Sequence, residues 1–164
     1  MQGKQTKGEM NHISDYLFNV IVIGDSGVGK SDVVQRFARR SCTQQRQSKI
    51  INFDARKVFV DGKVVKLQVW DASGLETHQH LTSPYYRISL GVMIVYDVTN
   101  TDSFANVGKW MQRVEKQCRP EVTVMLVGNK YDSEKQAVDS AAVRGYADRL
   151  GIPFFEVSAK AGIN

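Results

Sequence analysis

The stretch Gly24-Asp25-Ser26-Gly27-Val28-Gly29-Lys30-Ser31 carries the residue types needed to grip a polyphosphate. Its spacing is G-x-x-x-x-G-K-S, a pattern that also occurs by chance and so needs a strand before it and a helix after it. Both are expected here. The glycines let consecutive N–H groups face one anion, at a helix N-terminus whose dipole favours negative charge. Lys30 is expected to reach the β- and γ-phosphates. The Ser31 hydroxyl suits Mg²⁺, which takes oxygen ligands. Asp32 follows in the first helical turn, where a carboxylate complements the dipole but also stands where it can repel bound phosphates.

A phosphate loop does not say which nucleotide it holds. Gly128-Asn129-Lys130-Tyr131-Asp132 offers an amide, an ammonium stem and a carboxylate after an apolar run. A carboxylate can accept from both N1–H and the N2 amine of guanine. Adenine lacks that pair, and buried polar groups left unpaired make such discrimination large. Asp132 therefore points to guanine and away from an ATPase or nucleotide kinase. Ser158-Ala159-Lys160 follows the last apolar run, and its backbone N–H can meet guanine O6. The stems of Lys130 and Lys160 can cover the base faces. A further stretch, "DASGLETHQH" (71–80), begins like a phosphate-sensing loop, with Asp71 ending an apolar strand. It then places Leu75, His78 and His80 where water-handling groups are expected. The histidines are read as solvated surface, with water positioning or metal binding as the alternatives.

These groups have to be carried by elements. The 164 residues suit one domain with a proper core. Residues 1–14 read as a flexible polar extension without a secretory leader, and residues 15–164 as the domain. No apolar run approaches the ~18 residues of a membrane span. Cys42 and Cys118 lie far apart, match no metal spacing and read as reduced cytosolic thiols. The net charge is +5, and no acidic residue falls between Asp32 and Asp54, where Arg36, Arg39, Arg40, Arg46 and Lys49 occur. That patch is either a solvated surface or a face for phosphates, anionic lipid or an acidic partner.

Residues 16–24 predict a buried strand, and Lys30 to about Arg40 a helix with Val33, Val34 and Phe37 on one face. Residues 55–71 contain two extended runs around Asp61-Gly62, a hairpin signal. Strands are predicted over 90–98 and 122–130, helices over 102–117 and 137–151, and a last strand with its loop over 154–160. Continuous apolar strands alternating with helices imply an α/β fold. Its sheet is mainly parallel with one antiparallel edge strand, and helices cover both faces. Ligands bind such sheets beyond the carboxyl ends of the strands. The chain ends at "AGIN", where a final helix is expected, so it reads as C-terminally truncated.

With these motifs in place, the chain from about Tyr16 to Asn164 resembles the Ras-superfamily small GTPases, a P-loop NTPase G domain. Within them it is most similar to the Rab family, through "KLQVW" (66–70), "YYR" (85–87), "IVYDVT" (94–99) and "LGIPFFEVSAK" (150–160). The resemblance implies a monomeric GTP/GDP switch with Mg²⁺ on the cytoplasmic face of endomembranes. It implies an exchange factor, a GTPase-activating protein and effectors as partners, and no nucleic acid. Membrane attachment would use a prenylated tail that this sequence does not contain. Phe53, Trp70 and Tyr86 match the aromatics that Rab proteins present to effectors; ordinary core packing is the other reading of the same residues. By resemblance, Asp71 holds Mg²⁺ through water, and the Gly74 N–H meets the γ-phosphate.

Two departures stand out. Lys49, in "SKIINF" (48–53), falls on the Mg²⁺-binding Thr of the first switch loop, and a charged ammonium cannot ligate Mg²⁺. Ser48 could substitute only with a shifted register, and the Lys49 ammonium could itself approach the phosphates. Leu75 replaces the Gln that orients the attacking water. Since positioning and electrostatics supply nearly all catalysis of phosphoryl transfer, the expectation is a GTP hydrolase of very low intrinsic rate. The alternative is a non-hydrolysing pseudo-GTPase that acts as an interaction module.

Overall fold

A computed structural model describes residues 14–39, 52–72 and 79–164, with the backbone alone at 38, 39, 52 and 79–82. The elements in chain order are β1 (Tyr16–Ile23), α1 (Lys30–Arg39), β2 (Asn52–Val60), β3 (Lys63–Asp71), α2 (Gln79–Ile88), β4 (Gly91–Asp97), α3 (Thr101–Ala105), α4 (Val107–Gln117), β5 (Thr123–Asn129), α5 (Ser140–Leu150) and β6 (Phe154–Glu156). They form one six-stranded sheet in the order β2-β3-β1-β4-β5-β6. Strands β1, β3, β4, β5 and β6 run parallel, and β2 pairs antiparallel with β3 at the edge. The β2–β3 turn is Asp61-Gly62, both at positive φ (48° and 77°). That matches the twist a two-residue hairpin needs.

Side chains alternate across the sheet, so each central strand feeds two cores. Ile21, Ile23, Ile94 and Tyr96 meet Tyr86 of α2, Val107 and Val114 of α4, and Val143 and Ala147 of α5. Val22, Val69, Val95 and Val127 point the other way, onto Val34 of α1. Helices therefore cover both faces, as the strand pattern predicts. Among the described helices α1 alone serves the second face. Beside it a groove of about 500 Å³ remains, lined by Val33, Phe37, Met93, Met125 and Val157 among others. Among the described residues no helix is long and apolar enough to cross a membrane.

Three expectations need correction. Only the second half of β1 is buried, since Tyr16 and Leu17 are about half exposed; the strand runs past the edge of the helical cover. The single helix expected over 102–117 is two, broken at Asn106. Asn100 caps α3 by accepting from the Asp102 and Ser103 N–H groups, and Asn106 then both ends α3 and starts α4. Finally, Gln79 and His80 open helix α2 rather than continue a loop. Pro84 inside that helix hides it from a propensity reading.

Gly128 is squeezed at the heart of this core. A Cβ there would stand 2.6 Å from the Tyr96 hydroxyl and 3.0 Å from Val98. Tyr96 is fully buried and has little room to yield. Gly128→Ala is expected to destabilise the fold by about 1–3 kcal/mol, read as a lower urea midpoint. An unchanged midpoint would show that the core relaxes freely there.

Candidate functional site

The loops that follow β1, β5 and β6 meet at the carboxyl rim of the sheet, beside Asp71 at the end of β3. The phosphate loop follows β1, which lies between β3 and β4, where the strand order reverses. This is where doubly wound sheets bind ligands. Lys30 is 3% exposed and folds back over its own loop, donating to the carbonyls of Gly24 (2.9 Å) and Asp25 (2.7 Å). Ser26 and Gly27 are exposed at the loop tip, whereas Val28 anchors it in the core. Gly29 adopts φ +91°, and a Cβ on it would overlap the Asn129 amide. Only glycine allows that approach.

Asn129 ties the base-reading loops to the phosphate loop. Its Nδ2 donates to the Val28 carbonyl at 3.0 Å, and its Oδ1 accepts the Ala159 N–H at 3.2 Å. Lys130, held at φ 68°, donates to the Gly27 carbonyl (2.8 Å) and to Asp97 (2.6 Å). Positive φ on a non-glycine residue is strained, and such strain persists where surrounding contacts over-determine it. Asp132 is exposed, and its Oδ1 accepts the Ser158 hydroxyl at 2.6 Å. Ser158 in turn accepts the Ala161 N–H at 2.9 Å. Ser158 thus orients the carboxylate, a role beyond the backbone contact expected of its loop. Lys160 is exposed beside it.

Ser31 Oγ donates to Asp71 Oδ2 at 2.6 Å, and Asp71 is 1% exposed. The two oxygens form a hard donor pair. Mg²⁺ needs only one or two such protein groups, because phosphates and water complete its shell. Among the described residues there is no cluster of three or more His, Cys, Asp or Glu that could hold a metal. Asp32 is exposed in the first turn of α1. Its carboxylate oxygen lies 3.5 Å from where a Gly29 Cβ would be, so it leans toward the loop. Gly74, Leu75, His78, Ser48 and Lys49 lie outside the described residues, and for His80 only the backbone is described.

The aromatic reading is corrected at one position. Phe53 and Trp70 stack with ring centroids 4.8 Å apart, and the next ring, also at 4.8 Å, is Tyr85. Tyr86 is 1% exposed and packs in the main core. Burial pushes its hydroxyl up to about 12, against the opposing pull of Arg113. Adjacent residues on a helix face about 100° apart, so a one-residue slip exchanges surface for core. Cys118 is half-buried, and burial raises its thiol to about 11, which leaves it unreactive.

A family model, the Ras family, matches residues 19–164. The chain belongs to the Ras family. Its members are small GTP-binding proteins that take GTP or GDP with Mg²⁺ and work with regulators and effectors. In this family member the loops after β1, β5 and β6 and the end of β3 come together on one rim.

Sequence reading missed Asp97, at the end of β4. Burial alone would raise its carboxyl, but the hydrogen bonds from Lys130 and Thr99 outweigh it and hold it below the usual carboxylate range. A depressed folded pKa stabilises the protein above the unfolded value of about 4, and that stability is lost as pH falls through the folded value. Asp97→Asn is therefore expected to lower the denaturation midpoint at pH 7, with the difference shrinking below about pH 4. A difference independent of pH would rule out the ion pair as its source.

Proposed function

We propose that this chain is a Rab-like guanine-nucleotide switch of membrane traffic whose GTP hydrolysis is slow. The observation that carries the reading is Asp132, held by Ser158 on the same rim as Lys30 and the Ser31–Asp71 pair. In this reading the N–H groups of Asp25 to Asp32 and the Lys30 ammonium bind the phosphates. Ser31 and Asp71 hold Mg²⁺, which when bound neutralises phosphate charge. Asp132 reads guanine, Ala159 meets O6, and Lys130 and Lys160 flank the base. Phe53, Trp70 and Tyr85 offer a partly exposed aromatic face to effectors. The cytoplasmic surface of endomembranes is the proposed place of action, by similarity to Rab proteins.

Slow hydrolysis follows from Leu75 at the water-positioning point. Leucine cannot hydrogen-bond water, and a lost positioning contact can cost ~100-fold in rate. Single-turnover hydrolysis of GTP is expected to accelerate in Leu75→Gln. No acceleration, with nucleotide still bound, would remove the positioning argument. Asp132→Asn is expected to lower the preference for GDP over ADP by at least tenfold, measured by competition binding. An unchanged preference would relocate base recognition.

A second reading is favoured by Lys49 in place of the Mg²⁺-binding Thr. It is a nucleotide-holding interaction module that does not switch. Since a ligand shifts an equilibrium only by differential affinity, that reading expects equal affinity for GTP and GDP. The switch expects a Mg²⁺-dependent difference.

A further inference from the structure

Asp25 belongs to the phosphate loop, yet its side chain is committed to a different part of the molecule. Its Oδ1 accepts the Trp110 Nε1–H at 2.8 Å, and its Oδ2 accepts an Asn106 Nδ2–H at 2.7 Å. Both donors come from the α3–α4 junction, four residues apart and so on one helix face. The Asn106 Oδ1 accepts from Lys109 Nζ at 2.7 Å, which polarises the amide toward donation. On its other side, Asp25 offers its carbonyl to Lys30 Nζ at 2.7 Å. A continuous polar path thus runs from the surface of α4 to the lysine of the phosphate loop.

Asn106 explains itself in this light. An Asn at a helix start ordinarily caps it, accepting from the first free N–H groups. Asn106 opens α4 but makes no side-chain cap bond. Its amide is spent on Asp25 and Lys109 instead. The helix expected to run unbroken from 102 to 117 is interrupted at the residue that makes this contact. Trp110 is half-buried, with the Arg113 guanidinium 4.6 Å from its ring centroid, so its N–H is held in direction.

The electrostatic need is plain. A carboxylate inside a phosphate loop repels the phosphates it adjoins unless it is held away and its charge is spread over donors. We infer that Asn106 and Trp110 are positioning residues that clamp Asp25, keep its charge off the phosphates and fix the start of the phosphate loop. The consequence for ligand retention rests on the nucleotide-binding reading above; the clamp itself does not.

Two substitutions separate the clamp from general packing. Trp110→Phe keeps a ring and removes the N–H. Asn106→Ala removes the amide and costs no cap bond. In each, release of N-methylanthraniloyl-GDP, chased with unlabelled GDP, is expected to be about tenfold faster. Amide hydrogen exchange across residues 24–31 of nucleotide-free protein is expected to rise as well. On an Asp25→Ala background, adding Trp110→Phe is expected to change neither, as in a closed double-mutant cycle. Unchanged exchange in both single variants would overturn the clamp. So would an equal effect of Trp110→Phe with and without Asp25, because that marks a merely structural role. Failure of the unaltered protein to retain the GDP analogue would overturn the nucleotide reading instead, and the exchange measurement would still decide the clamp.

Discussion

Asn129 is 3% exposed at the end of β5, and both ends of its amide are engaged across chain distances no local rule could span. One end donates to Val28 in the loop after β1; the other accepts from Ala159 in the loop after β6. A buried donor or acceptor left unpaired costs about 1–3 kcal/mol. The three loops therefore keep one mutual arrangement or lose that energy. The arrangement is possible only because β1, β5 and β6 are parallel and end at the same rim. Gly29 completes it, since any side chain there would displace the Asn129 amide. The continuous apolar strands build the sheet, and one amide ties its rim together.

Negative charge is the second constraint on this rim. Asp25, Asp71, Asp97 and Asp132 all surround a place suited to phosphates and a base. Each is answered by a donor: Asn106 and Trp110, Ser31, Lys130 with Thr99, and Ser158 respectively. Four carboxylates are thereby oriented as well as compensated. Asp32 differs, since it is exposed and turned toward Gly29. Among the described residues no donor holds its exposed carboxylate, so its effect on a phosphate ligand depends on ionic strength.

What the sequence made legible follows from these same constraints. The phosphate and base-reading motifs are contiguous, and their chemistry is local, so their residues and their strand-end placement could be read directly. The hairpin at Asp61-Gly62 and the stop at Gly151, with its φ of 65°, are also local backbone rules. The misses lie where distant side chains decide. Nothing near Asn106 announces that its amide serves Asp25, and nothing near Asp97 announces Lys130. Of the two readings of Tyr86, surface aromatic or core, burial supports the second, because adjacent tyrosines look alike until α2 fixes which faces the core. That helix was itself obscured by Pro84 within "QHLTSPYYRI".

The same separation bears on how binding and switching divide in this chain. The cradle is held from several sides: Lys130 on Gly27, Asn129 on Val28, Lys30 on Gly24 and Asp25, and the α3–α4 junction on the Asp25 carboxylate. None of these contacts uses Lys49 or Leu75. On the proposed reading, substitutions at those two positions can therefore alter the response to a γ-phosphate while the cradle stays intact. Conversely, on the proposed reading a change in the cradle alters retention of either nucleotide alike, because the groups it holds would meet what GTP and GDP share. A binding surface preassembled by long-range side-chain bonds tolerates divergence in the residues that sense the third phosphate. On the proposed reading, the departures at Lys49 and Leu75 are of that kind.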